Sequence, residues 1–286
     1  MEATRPHEKP RKERRRGGCS SVLGPGVLLG LLLSLYLLAP FRTNVLLLGI
    51  DRAPAESAAA RTDTMVLTTI IPARPYVGML SIPRDLWVSI PGQGENRINT
   101  AHFFAETSQP GTGPQAAMDV VRTNFGVDVD YFVRLRFDGL VHFVDTLGGI
   151  AVVLPDAMSG YDAGSQVLDG TQALAFVRDR ADSDDFARMG RGQLFLKGVL
   201  VTIAQPIKWP RLVVAVPVLL GSIDTDIPVW LWPRLGLAFL RAGPGGIDGR
   251  VITREMAHGF TTAGGAQVLA PDWPAINPVL LEMFGQ

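Results

Sequence analysis

An uncharged run, VLGPGVLLGLLLSLYLLA at residues 22–39, follows directly on a basic segment and divides the chain before any fold is considered. Residues 1–16 hold seven lysines and arginines against three glutamates. A positive flank followed by an apolar stretch of nearly membrane-spanning length reads as a retained anchor, with the N-terminus inside and residues from 41 onward outside. A cleaved signal peptide is the alternative, but LLAPF lacks the small-x-small pattern of a cleavage site. The expected organisation is a cytoplasmic tail over 1–19, a transmembrane anchor over 20–40 and one extracytoplasmic domain over 41–286, a usual size for a single domain.

The basic tail masks the charge of the outer domain. The chain has 27 basic and 27 acidic residues. Without the first sixteen the counts are 20 and 24, a net of about −4, which speaks against a general nucleic-acid surface on the outer domain. Cys19 is the single cysteine, so the domain has neither an intrachain disulfide nor a thiolate metal site.

NVLLLGID, DTMVLTTIIP and YVGMLSIPRD are short leucine-rich and β-branched runs bounded by Gly, Pro or Asp, and they read as buried strands. Helical patterns follow at INTAHFFAET and GPQAAMDVVRTNFG, then a strand DYFVRLRF, a helix DGLVHFVDTLGG, a strand IAVVLP, a capped helix LDGTQALAFVR and a helix over 194–204. Strands that are apolar on both faces, interspersed with helices, predict an α/β fold whose sheet is covered by helices on either side. LVVAVPVLLG is too short for a second span and reads as buried core, and APDWPAINPVLLEMF reads as a closing helix.

Charges fall where these strands end: Asp51 after the first, Arg61 and Asp63 before the second, Arg84 and Asp85 after the third, then Arg97. Singly, each aspartate reads as a turn or cap residue. Jointly, carboxylates without histidine or cysteine suit a hard cation such as Mg²⁺. Arginines beside it suit a phosphate, because the guanidinium fork donates two parallel hydrogen bonds and stays charged. With only four lysines in the chain, arginine is also its default cation. The four histidines show no metal-ligand spacing, and His142 reads as lying on an apolar helical face. The stretch RDRADSDDFARMGRGQ, residues 178–193, is by composition alone a solvated loop.

Taken in order, NVLLLGID, ARTDTMVL, MLSIPRDLWVSIPG, NRINTAH, DYFVRLRFDGLVHFVDTLGGI, LDGTQALAFVRDR and DDFARMGRGQ resemble the LytR-CpsA-Psr family of bacterial envelope phosphotransferases, over about residues 44–200. The resemblance implies an α/β fold with a mixed central sheet between helical layers, and an apolar groove for a polyprenyl tail. It also implies transfer of a glycopolymer, of teichoic-acid type, from polyprenyl diphosphate to a cell-wall acceptor such as a peptidoglycan sugar hydroxyl, at the bacterial cytoplasmic membrane. On its terms Asp51 and Asp63 match metal-associated aspartates, the metal being Mg²⁺ or Mn²⁺. Arg61, Arg84, Arg178 and Arg180 match diphosphate-contacting arginines, with Arg97, Arg188 and Gln193 nearby. Asp185, or alternatively Asp85, would accept the hydroxyl proton, and residues 178–193 then read as a site segment that closes over the diphosphate. The chain departs from the family pattern at Gly192, where relatives carry a glutamine, which implies a looser helix start, and at Arg97, commonly a lysine. A diphosphate hydrolase using water as acceptor, and a non-catalytic regulator or lipid-carrier sensor, are the alternative readings.

Overall fold

The computed structural model describes residues 20–50, 62–179 and 185–285. After helix α1 (Ser20–Leu38), the first three apolar runs form β1 (Thr43–Ile50), β2 (Thr62–Ile71) and β3 (Tyr76–Ile82), an antiparallel trio with scarcely an exposed residue. Because side chains alternate across a strand, such a trio needs a cover on each face. Leu46, Leu48, Leu67 and Leu80 point into one core, and Val66, Ile70, Val77 and Met79 into another.

The hairpin of β4 (Trp87–Ile90) and β5 (Gly94–Arg97) leads to α2 (Thr100–Ser108) and α3 (Gly113–Phe125). β6 (Tyr131–Arg136) then returns alongside β1 in parallel and runs into α4 (Phe137–Leu147). Next come the hairpin β7 (Ile150–Leu154) and β8 (Gly164–Leu168), then α5 (Gly170–Arg178), α6 (Asp185–Ala204) and α7 (Trp209–Leu220). β9 (Ile223–Thr225) extends the sheet beyond β6, and after α8 (Trp232–Ala242), β10 (Ile247–Val251) joins the opposite edge, parallel to β3. The hairpin β11 (Ala257–Thr261) and β12 (Gln267–Pro271) precedes the closing helix α9 (Trp273–Phe284).

The six-stranded mixed sheet therefore runs β10-β3-β2-β1-β6-β9. Residues of α3 and α9 cover one face, while α8 packs on the other beside a cluster built from α4 to α7. The expected sheet between helical layers is present. Two local devices set the positions of α5 and α6. Asp169 accepts from the Gln172 backbone N–H while the Gln172 side chain accepts from the Asp169 N–H, a reciprocal cap that starts α5. Gly198 lets α6 lie against β7, since a Cβ there would stand 2.8 Å from the Ala151 carbonyl oxygen.

Helix α1 forms within the segment read as an anchor; its described apolar part is Pro25–Leu38, and among the described residues no single helix is long and apolar enough to cross a membrane. Three expectations change. Helix α6 starts at Asp185, nine residues earlier than expected, so residues 185–193 are helix and not loop, and Gly192 lies inside that helix. The LVVAVPVLLG segment is α7, but only Ala215 in it is buried, and Val213 and Val214 are exposed, so it is a cover on α4 and not core. His142 is exposed; of the described histidines His102 is the buried one.

Candidate functional site

The site is assembled where β3 ends, β2 begins and α6 begins. Antiparallel pairing of Met65 with Ile82 brings the start of β2 beside the end of β3, so Asp63 meets Arg84. The Arg84 guanidinium donates to Asp63 Oδ1 at 2.7 Å and, through Nε and Nη2, to Asp185 Oδ2 and Oδ1 at 3.1 and 3.4 Å. Asp85 Oδ2 lies 3.5 Å from Arg84 Nε. Asp185 occupies the first turn of α6, where a carboxylate also meets the positive end of the helix dipole.

Arg84 is therefore shared by three carboxylates. Burial pulls the Arg84 guanidinium down, but the Asp185 charge, the hydrogen bond to Asp63 and the Asp85 charge together hold it above its ordinary value. Burial pushes the Asp85 carboxyl up; Arg84 and Arg97 oppose this, and a shared hydrogen bond with Asp185 reinforces it. A carboxyl with a raised folded-state value contributes stability that is fully present below its unfolded value and lost as pH rises through the folded one. Asp85→Asn should therefore raise Tm at pH 7, with the gain shrinking as pH falls towards about 3.9; thermal melts of both proteins across pH check this.

The other expected residues divide. Arg188 Nη2 stands 3.2 Å from Asp185 Oδ1 and lines the same cleft. Arg97 Nε lies 3.1 Å from Asp85 Oδ1 as an ion pair without hydrogen-bond alignment, and its Nη2 donates to the Gln267 carbonyl at 2.9 Å. Arg178 stacks over the Phe137 ring, 5.8 Å from its centroid. Gln193 is buried: its amide nitrogen donates to Ser81 Oγ at 2.7 Å and contacts the carbonyls of Met79 and Arg250, fastening α6 to β3 and β10. It lines a neighbouring cavity and not the arginine cleft. Asp51, Arg61 and Arg180 lie outside the described residues.

Three hollows meet here. The cleft itself is lined by Asp63, Arg84, Asp185 and Arg188, with Thr64, Val66, Val177 and Gly192 at its inner side. Those last four also line an apolar groove of about 400 Å³ that runs between the sheet and α4, α6 and α8, past Leu135, Phe137, Phe195, Trp232 and Phe239. A wider cavity of about 1330 Å³ lies beyond, walled by the 155–162 segment, α5, α6 and β10. It is the larger hollow, but it holds none of the converging carboxylates. A Cβ at Gly192 would meet nothing within 4 Å, so packing does not require glycine there; its lack of a side chain leaves the passage from cleft to groove open.

Sequence reasoning missed the groove lining, because many of its residues come from α8 and the strand before it. The available signal was the apolar composition of 227–239 in a segment already assigned to packing. Asp63 presents a hard oxygen donor beside Arg84, which fits a divalent cation that takes one or two carboxylates and completes its shell with phosphate and water. Among the described residues no group of three or more His, Cys, Asp or Glu side chains converges to hold a metal unaided.

Comparisons with known proteins bear on the family and the fold. The LytR_cpsA_psr family model matches residues 40–269. The polyisoprenyl-teichoic acid–peptidoglycan teichoic acid transferase TagU of Oceanobacillus iheyensis is 30% identical over 249 residues, 85% of this chain and 75% of that protein. Its Bacillus subtilis counterpart is 34% identical over 164 residues, 55% of this chain and 51% of that protein, so the match spans about half of the longer relative. Among solved structures, B. subtilis TagV superposes with a TM-score of 0.69 at 22% identity, covering 86% of this chain and 98% of that one. TagT bound to LIIa-WTA superposes at 0.65 and 22%, covering 86% and 91%; at such identities the likeness concerns the fold.

Proposed function

The chain belongs to the LytR-CpsA-Psr family, and from that membership we propose that it transfers a glycopolymer from a polyprenyl-diphosphate carrier onto a cell-wall acceptor, with a peptidoglycan sugar hydroxyl as the acceptor group. One observation carries the reading: the arginine–carboxylate cleft and the apolar groove share Thr64, Val66, Val177 and Gly192 as lining. A charged head and a long apolar tail in one ligand need such a junction, and a water-soluble sugar phosphate would not.

In the proposed reaction the acceptor oxygen attacks the sugar-proximal phosphorus, a P–O bond forms, the P–O bond to the carrier breaks, and polyprenyl phosphate leaves. Arg84 and Arg188 would hold the phosphate oxygens, taking up charge as it moves onto the leaving group. Asp185, at the start of α6, would receive the hydroxyl proton, with Asp85, which shares a hydrogen bond with it, as the alternative acceptor. No protein nucleophile is required. Asp63, with Asp51 as its expected companion, would hold Mg²⁺ or Mn²⁺, which when bound supplies further neutralisation of the diphosphate. Helix α1 would anchor the domain to the cytoplasmic membrane, with the basic tail inside.

The test uses the purified chain, a polyprenyl-diphosphate oligosaccharide and peptidoglycan fragments, with products followed by mass spectrometry. An adduct in Mg²⁺ that is lost with chelator and restored by re-addition is the expected outcome. Free polymer phosphate with no adduct would instead make water the acceptor.

A further inference from the structure

Between α1 and the sheet the chain is clasped by a segment far away in sequence. The Tyr36 hydroxyl, in the last turn of α1, donates to the Trp230 carbonyl oxygen. Buried Arg234 donates to the carbonyls of Ala39 and Phe41, at 3.2 and 2.7 Å, and lies over the Phe41 ring. These contacts pin the short turn Val229–Leu231 at the level where α1 ends. The side chains on that turn then face outward: Val229 is 79% exposed, Trp230 69% and Phe41 70%.

We propose that this collar is a lipid-contacting foot: Val229, Trp230 and Phe41 enter the headgroup–acyl boundary of a bilayer around the base of α1. The inference rests on the reading of α1 as an anchor and adds a second lipid contact to it. Three observations commit the patch to lipid and not to a protein partner. It is continuous with α1, whose Val27 to Leu35 leucines and valine are exposed on every side, an arrangement suited to hydrocarbon. A tryptophan, a tyrosine and a phenylalanine gather at one end of an apolar helix, where amphipathic rings settle at a membrane boundary. Finally, Ile227 and Trp232, the neighbours of the turn on either side, line the apolar groove, so the foot would set that groove's wall against the lipid phase. The described apolar part of α1 is short for a span, which gives an added contact a physical purpose.

The test uses the full chain with Cys19→Ala and a single introduced cysteine, Val229→Cys or, as a control on the distant β7 face, Val153→Cys, each labelled with a polarity-sensitive dye. The proteins are reconstituted with phosphatidylcholine–phosphatidylglycerol vesicles, floated, and read with spin-labelled lipid and with aqueous iodide. The proposal expects flotation of both, with emission from position 229 blue-shifted and quenched by the lipid label, and position 153 quenched by iodide alone. Flotation with position 229 as open to iodide as position 153 overturns the foot and leaves the anchor standing. A blue shift at 229 that follows protein density and not the lipid label assigns the patch to a second copy and also overturns the proposal. Failure to float overturns the anchor and the foot together. Trp230→Asp in the Val229→Cys protein should abolish the lipid quenching while flotation persists.

Discussion

Arg84→Ala should lower the rate of polymer transfer by about 10³-fold or more, the scale of removing a preorganised cation from a phosphoryl-transfer site. Among the described residues Arg84 alone has a guanidinium that reaches Asp63, Asp85 and Asp185 together, so it both fixes the cleft and offers the positive charge that a diphosphate would need. Its removal leaves three carboxylates facing one another, but their side chains are 28%, 27% and 33% exposed and water can solvate them. The fold should therefore lose only about 1 kcal/mol, in line with partly exposed ion pairs. Arg84→Lys separates charge from geometry: a lysine keeps the cation but not the fork, and recovery of only a small part of the rate would assign the remainder to two-pronged contact. Single-turnover rates beside thermal melts decide the matter; near-normal transfer by the alanine variant would remove Arg84 from the mechanism.

Glu106→Gln should cost stability and not chemistry, about 3 kcal/mol, the scale of breaking a buried charge pair. Glu106 is buried at the end of α2, where its two carboxylate oxygens accept from the Gly111 and Gly113 N–H groups at 2.9 Å each. Arg134 Nη1 of β6 lies 3.1 Å from Oε2, so one carboxylate joins the α2–α3 loop to the sheet. Burial pushes the Glu106 carboxyl up, but the two backbone hydrogen bonds, Arg134 and His102 outweigh it and leave it below the usual range. A depressed carboxyl contributes stability that is present above its unfolded value, near 4.3, and is lost as pH falls through the folded one. The gap between parent and variant should thus be full at pH 7, roughly 10 °C in Tm for a domain of this size, and close on acidification. A pH-independent gap would point to lost shape and not to lost charge.

The sheet's centre was legible because its strands are buried on both faces and therefore continuous in apolar character. Its edges were not. β10 reaches the sheet only by pairing with β3, some 170 positions away, and no local pattern records a distant partner. In the cleft, Asp63, Arg84 and Asp85 could be grouped because charges at strand ends have a narrow choice of direction, whereas Asp185 and Arg188 were reached only through the family resemblance, since no local pattern marked the start of α6. Gln193 could not be placed: an amide can serve a ligand or a backbone equally well, and here it serves Ser81 and two carbonyls. Glu106 was missed because a glutamate near a helix end ordinarily faces water, and its signal was the pair of glycines in GTG awaiting an acceptor. The exposure of α7 was missed because nine of its twelve residues are apolar or aromatic and nothing in composition says which side is covered.

Helix α6 presents a different surface to each of the three hollows. Asp185 and Arg188 face the cleft, Phe195 and Val199 the groove, and Ala187 and Lys197 the wide cavity, with Gly192 at the junction of the first two. A single rigid rod cannot shift for one occupant and stay still for another, so preferences measured in the three spaces are not separable quantities. Ranking sugars with short, water-soluble carriers would read the rod in a position that no full-length carrier imposes, and the order obtained need not survive when the tail is restored.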